Sequence, residues 1–157
     1  MMKIGNKAPS FTLVNQDDEK VSLKDFAGQW LVLYFYPRDN TPGCTTEACE
    51  FTSSLKAFQG LNARIVGVSP DTTDSHARFI KQHKLKVTLL SDPQHKMMER
   101  YQAWGEKILY GKTTRGVIRS TVLIDPDGRV VHHWKRVRAA GHALKVKEKL
   151  AGLQEDE

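Results

Sequence analysis

The chain has 157 residues, 39% of them hydrophobic and 27% charged, a balance that argues against disorder and fits one domain that buries its own core without disulfide staples. No apolar run approaches the roughly 18 residues of a membrane span, and the start MMKIGNKAPSF lacks both the apolar core of a secretory signal and the Arg- and Ser-rich bias of a transit peptide, so a soluble cytoplasmic protein is expected. The net charge of +6 is spread along the chain; its one cluster, Lys135, Arg136, Arg138, Lys145, Lys147 and Lys149, has no interleaved aromatics and reads as a solvated helix face, so neither nucleic acid nor membrane is expected as a partner.

Two short strands come first, around Phe11–Val14 and Lys20–Ser22, joined by the turn residues Asn15, Gln16, Asp17 and Asp18. Ser22 is placed to cap a short helix through Phe26, which Gly28 stops. Trp30–Tyr36 (WLVLYFY) is a continuous apolar and aromatic run, the pattern of a strand buried on both faces, and Pro37 ends it. The loop Arg38–Gly43 leads to a helix expected from Cys44 to about Phe58. Ala63–Ser69 is a second buried strand, followed by a helix from about Thr73 to His83 with Asp71 or Thr72 as cap. Leu89–Leu90 reads as a short strand and Pro93–Trp104 as a short helix. Thr121–Asp125 and Arg129–Trp134 flank Asp125-Pro126-Asp127-Gly128, a strong hairpin signal. A basic helix over about Gly141 to Leu150 comes last, and the tail Leu153 to Glu157 is expected to fray. Alternating strands and helices followed by a hairpin and a helix give a mixed sheet covered on both sides. The order matches a thioredoxin-like α/β fold with an added N-terminal β-hairpin, while the alternation alone also allows a flavodoxin-like sheet.

The chemistry concentrates in the loop after the first long strand. Ligands of open α/β sheets bind at the carboxyl ends of strands, and the N–H groups of a first helical turn lack internal partners and attract negative charge. Cys44 sits at such a helix start, where the thiolate is favoured over the thiol. The same N–H groups can hold peroxide oxygens, and Pro42 shields one side from water. Thr41 is either a simple cap or a hydroxyl that meets the sulfur or the peroxide. Glu47, three residues on, either complements the helix dipole or orients an arginine.

The spacing of the two cysteines constrains the mechanism. On an ideal helix residues five apart lie ~8.7 Å and ~140° from each other, whereas a disulfide needs Cα atoms within about 7 Å. Cys44 and Cys49 therefore bond only if the first turns unwind. That gives a two-state cycle: peroxide oxidises Cys44 to a sulfenic acid, unwinding exposes this sulfur to Cys49, and an external dithiol reduces the disulfide. Two buried, inert thiols are the plain alternative. A zinc site would need two further ligands from His76, His83, His95, His132, His133 or His142, none of which has the paired spacing of a zinc motif.

The segment YPRDNTPGCTTEAC resembles the peroxiredoxin active-site motif of proline, three residues, threonine, two residues, cysteine. A second cysteine five residues on is similar to the bacterioferritin-comigratory-protein or peroxiredoxin Q branch, and the likeness runs from APSFTL to the last helix, one domain over residues 1–157. The resemblance implies a thioredoxin-like fold, no metal or organic cofactor, and reduction of hydrogen peroxide and organic hydroperoxides. It makes Cys44 the peroxidatic nucleophile, Cys49 the resolving cysteine, Thr41 a peroxide ligand and Pro37 a shield. By their position at the loop, Pro42, Gly43 and Tyr36 are candidates to lie beside the pocket, with core packing on the buried strand the alternative for Tyr36. The resemblance also places an arginine just before a late strand. Arg119, in Gly116-Val117-Ile118-Arg119-Ser120-Thr121, fits, with Arg115 a weaker alternative. A fixed guanidinium there would stabilise the departing oxygen and the thiolate; without the Cys44 motif it would read as a sheet-edge salt bridge. Thioredoxin or glutaredoxin is the implied reductant, and the chain is expected to act as a monomer.

Three other functions compete. A disulfide reductase on this fold would want C-x-x-C, and here four residues separate the cysteines. A peroxide sensor that relays oxidation to a partner would share every residue named. A DNA-binding protein is suggested by charge alone.

Overall fold

A computed structural model describes residues 2–155 of the chain. Its seven-stranded sheet runs in the order β2-β1-β5-β4-β3-β8-β9, with β1 at Thr12–Asn15, β2 at Lys20–Ser22, β3 at Trp30–Phe35, β4 at Ala63–Ser69, β5 at Thr88–Ser91, β8 at Ser120–Ile124 and β9 at Val130–Trp134. β3, β4 and β5 are parallel and the other pairings antiparallel, so the sheet is mixed. It carries α1 (Pro42–Ser53), α2 (Leu55–Gly60), α3 (Thr73–His83), α4 (Lys96–Arg100) and α5 (His142–Glu155). This is the thioredoxin-like arrangement with an N-terminal hairpin.

β3 shows why the sheet is covered on both sides. Its side chains alternate between two cores: Leu31, Leu33 and Phe35 enter a cluster with Val66, Leu90, Met98 and Tyr101, while Val32 and Tyr34, with Tyr36 just beyond, enter a cluster with Phe51, Phe58, Phe79, Val146 and Leu150 from α1, α2, α3 and α5. All six β3 residues are buried. Tyr34 lies so close over β4 that a Cβ at Gly67 would fall 2.6 Å from its ring.

Several sequence expectations are corrected. The helix expected over Cys44–Phe58 starts two residues earlier, because Pro42 at its first position has no N–H to lose and a φ already set for a helix. It then breaks at Ser54 into α1 and α2. The helix expected over Pro93–Trp104 is only Lys96–Arg100; Gln102 turns the chain with a positive φ of 58°, and Trp104 starts a strand. That strand, β6 (Trp104–Leu109), pairs with β7 (Lys112–Val117) in a separate hairpin that the sequence reading missed. The last helix starts one residue later and ends five residues later than expected, running from His142 to Glu155 rather than from Gly141 to Leu150. Leu153 to Glu155 do not fray: Leu153 packs against the core and Gln154 donates to the Leu61 carbonyl at 2.6 Å. The rest of the expected tail, Asp156 and Glu157, lies outside the described residues. The α3 cap is Thr72, whose hydroxyl accepts from Ser75 N–H at 3.2 Å. The Asp125–Gly128 hairpin stands as expected, with Gly128 at φ 81° and the Asp125 carboxylate accepting from the N–H groups of Asp127 and Arg129. No helix among the described residues is long and apolar enough to cross a membrane.

Candidate active site

Strand register assembles the site. β8 runs antiparallel to β3 with Ser120 opposite Phe35, which places Arg119 beside the carboxyl end of β3. Tyr36 and Pro37 leave the sheet at that same end, and the loop returns as α1. The first helical bond of α1 runs from Thr45 N–H to the Thr41 carbonyl at 2.9 Å, so the amides of Gly43 and Cys44 belong to the turn that has no intrahelical acceptor. Cys44 is the third residue of the helix and 1% exposed, Cys49 is partly exposed, and both are free thiols.

Arg119 links the parts. Its Nη2 donates to Cys44 Sγ at 3.3 Å and its Nη1 to Glu47 Oε1 at 2.7 Å. The guanidinium passes so near the loop that a Cβ at Gly43 would lie 3.1 Å from Nη2; glycine leaves the space it occupies. Burial alone would weaken the charge of Arg119, but Glu47 and Cys44 beside it more than offset this. Arg115 is an exposed residue of β7, paired with Glu106 in the hairpin register, and plays no part here.

Of the two readings of Glu47, the structure favours the partner of an arginine over the complement of the helix dipole. Since α1 begins at Pro42, Glu47 falls in the second turn and cannot complement the helix end. It is fully buried, and burial pushes its carboxyl up to about 7 against the opposing pull of Arg119. Its second oxygen, Oε2, has no hydrogen-bond partner among the described residues.

Thr41 occupies the cap position, yet its hydroxyl donates to the Arg38 carbonyl at 2.9 Å instead of capping α1. The oxygen keeps lone pairs, and a rotation about one bond redirects its proton. Pro37 is half-buried, and Pro42 is exposed on the rim. Tyr36 is corrected: it lies 1% exposed in the core beneath the loop, with its hydroxyl donating to Asp39 Oδ1 at 2.6 Å, and it does not line an open pocket. The larger hollows lie elsewhere; one lined by Phe26, Leu31 and Pro126 sits at the opposite end of β3. Hydrogen peroxide is two oxygens and needs only a notch at the sulfur.

The histidines weighed as zinc ligands are dispersed. His142 meets the Thr121 hydroxyl at 2.8 Å, and burial lowers its pKa to about 4. His133 Nδ1 accepts from Met2 N–H at 3.0 Å. His83 bonds Asn40 and His95 stacks on Trp104. His76 belongs to a buried cluster with Asp39 that no sequence signal revealed, because the two residues stand far apart in the chain.

The chain matches the model of the AhpC/TSA family over residues 4–133. It is 43% identical over 154 residues to a protein named peroxiredoxin Bcp from Bacillus subtilis, covering 98% of each chain. It is 39% identical to Escherichia coli peroxiredoxin Bcp, covering 90% of each. Among solved structures, a cysteine-to-serine mutant of Xylella fastidiosa PrxQ superposes with a TM-score of 0.92 at 37% identity, covering 98% of both chains. A bacterioferritin comigratory protein from Xanthomonas campestris, described for its alkyl peroxide reduction activity, superposes at 0.86 with 39% identity and 90% coverage of both. A buried cysteine at the head of α1, bridged by an arginine to a buried glutamate, thus sits in a chain that belongs to the AhpC/TSA family, among its Bcp and PrxQ peroxiredoxins.

Proposed function

We propose that Cys44 is the peroxidatic nucleophile of this thiol-dependent peroxidase and Cys49 its resolving partner. The observation that carries the assignment is the Arg119 guanidinium spanning Cys44 Sγ and Glu47 Oε1 at the head of α1. The Cys44 thiolate attacks the O–O bond of a hydroperoxide, forming an S–O bond as the other oxygen leaves with its electron pair and a proton as water or an alcohol. Negative charge spreads from sulfur to the leaving oxygen, and Arg119 with the Gly43 and Cys44 amides is placed to stabilise it throughout. Thr41 and the Pro37–Pro42 rim position the peroxide.

Both cysteines lie on the intact helix α1, so the second step requires its first turns to open. The Cys49 thiolate then attacks the Cys44 sulfenic acid, hydroxide leaves with a proton as water, and the disulfide is returned to two thiols by an external dithiol. Thioredoxin or glutaredoxin suits that role, with the chain acting as a monomer in the cytoplasm. Steady peroxide consumption with thioredoxin, its reductase and a nicotinamide electron source is the expected result, with a Cys44–Cys49 linkage in the oxidised protein by peptide mapping. One stoichiometric oxidation without turnover by either reductant would favour the redox-relay reading instead.

Glu47 makes the opening step depend on pH. In the closed helix its carboxyl titrates near 7, and in an open, hydrated one near its ordinary 4.5. Between these values the closed form holds the extra proton. Raising the pH removes it, so the advantage of the closed form falls as pH rises through that window. Single-turnover disulfide formation is expected to quicken accordingly. Any other pH-dependent step is common to both proteins, so the informative quantity is the ratio of wild type to Glu47→Gln. That ratio should climb by up to about tenfold per pH unit through the window and level off above it. A ratio that stays flat would exclude Glu47 as the titrating group.

A further inference from the structure

The loop from β3 into α1 is fastened from below by a buried polar cluster that the thiol chemistry does not use. Asp39 is 7% exposed. Its Oδ1 accepts from the Tyr36 hydroxyl at 2.6 Å, and its Oδ2 accepts from the Ser75 hydroxyl at 2.8 Å and meets His76 Nδ1 at 2.7 Å. Its backbone N–H donates to Asp71 Oδ2 at 2.8 Å, and that oxygen also accepts from the Ser69 hydroxyl at 2.6 Å. His76, near the start of α3, is fully buried, and its Nε2 lies 2.9 Å from the Leu90 carbonyl. A carbonyl oxygen only accepts, so Nε2 carries a proton, and a second proton lies between Nδ1 and Asp39.

The next residue, Asn40, stands in the left-handed region at φ 62° and is tied to the other end of α3. Its Oδ1 meets His83 Nε2 at 2.8 Å and its Nδ2 donates to Gln82 Oε1 at 3.0 Å. Two consecutive loop residues are thus held at both ends of one helix, and Thr41, Pro42, Gly43 and Cys44 follow directly. Ligand atoms of Asp39, Asp71 and His76 lie within 4.8 Å of one another. Both oxygens of Asp39, both ring nitrogens of His76 and Oδ2 of Asp71 are already engaged within the protein, so the cluster reads as an internal fastening.

We propose that His76 is a positioning residue for the peroxide step: through Asp39 it holds the loop so that Thr41 and the head of α1 keep the peroxide in line with the Cys44 sulfur. The inference rests on Cys44 being the sulfur that meets peroxide. It follows from the cluster's place in the chain. Attack on the O–O bond is sensitive to displacements of about 1 Å, and only a short loop separates Asp39 from Cys44. Disulfide formation is a different matter, because it begins with α1 opening and does not need the loop in its peroxide-binding shape. Loss of the fastening should therefore slow one step and spare the other.

Rapid mixing separates the two steps: the second-order rate of Cys44 oxidation by hydrogen peroxide, then the first-order rate of disulfide formation. His76→Gln is expected to lower the former about tenfold or more and to leave the latter unchanged or faster, in a protein whose circular dichroism remains that of the wild type. A merely structural histidine would lower the melting temperature and leave both rates of the folded protein alone. Where the single variant does not fold, the double variant Asp39→Asn with His76→Gln removes both charges together and is read by the same criteria. A folded variant that reacts with peroxide within about twofold of wild type would overturn the inference. Failure of the Cys44 assignment looks different, since Cys44→Ser would then keep the fast peroxide reaction.

Discussion

Cys44→Ser is expected to consume hydroperoxide no faster than buffer, while Cys49→Ser consumes one equivalent in a fast burst without turning over, and only slower over-oxidation follows. The first substitution is nearly isosteric at a site that is 1% exposed, and a serine hydroxyl can still accept from Arg119 Nη2, so the fold and its ion pair should survive. What is lost is the reacting atom: an alcohol is hardly ionised at neutral pH and cannot take an oxygen from peroxide as a thiolate sulfur does. Cys49→Ser keeps the whole peroxide site, since Cys49 lies on another flank of α1, beside Glu50 and Ala143 of α5. Its sulfenic acid forms at the wild-type rate and then lacks a local thiol. With excess peroxide it should pass to the sulfinic acid, visible as two added oxygens in the intact mass. The contrast between the variants is the informative part. Normal turnover by Cys44→Ser would remove the assignment altogether, whereas normal turnover by Cys49→Ser would mean that the external dithiol attacks the sulfenic acid directly.

The residues that announced the site were those whose signals are local. The strand read over Trp30–Tyr36 was legible to within one residue of the observed Trp30–Phe35, because unbroken apolar character is what a doubly covered strand needs. Cys44 and Cys49 were legible because five-residue spacing on a helix forbids a direct bond, and Arg119 because a resemblance in the residues before β8 pointed to it. The Glu47–Arg119 contact was only half legible: the spacing left two readings for Glu47, and the start of α1 at Pro42, which decided between them, moved it out of the first turn. Two features stayed hidden. The Asp39–His76 contact depends on how the loop folds back over α3 and the Thr41 hydroxyl on Arg38 on the local turn, and periodicity carries nothing about either. The β6–β7 hairpin was missed for another reason. Lys112–Arg115 is exposed throughout and only the base of the pair, Trp104 and Val117, meets the core, so no alternation marks the strands, and the apolar Met97, Met98 and Tyr101 just before them imitate a longer helix.

The second large effect belongs to Arg119. Arg119→Ala is expected to lower the second-order rate with peroxide by about 10²–10³, the range for removing a fixed donor from a developing anion. Two losses combine. The Cys44 sulfur loses its 3.3 Å donor, and Glu47, fully buried, loses the 2.7 Å partner of Oε1 while Oε2 has none among the described residues to begin with. A buried carboxylate without its cation is disfavoured, so Glu47 in the variant should take up a proton more readily. Arg119→Lys tests whether charge or shape matters. An ammonium restores a positive charge, but it is a single point and lacks the planar fork that serves sulfur and carboxylate at once. It should therefore recover only part of the rate. The double variant Arg119→Ala with Glu47→Gln closes the cycle. If Glu47 acts by aiming the guanidinium, its substitution costs much in the presence of Arg119 and little once Arg119 is gone. Rates that fell by the same factor in both backgrounds would show that Glu47 and Arg119 act independently, and the bridge between them would then be a matter of packing.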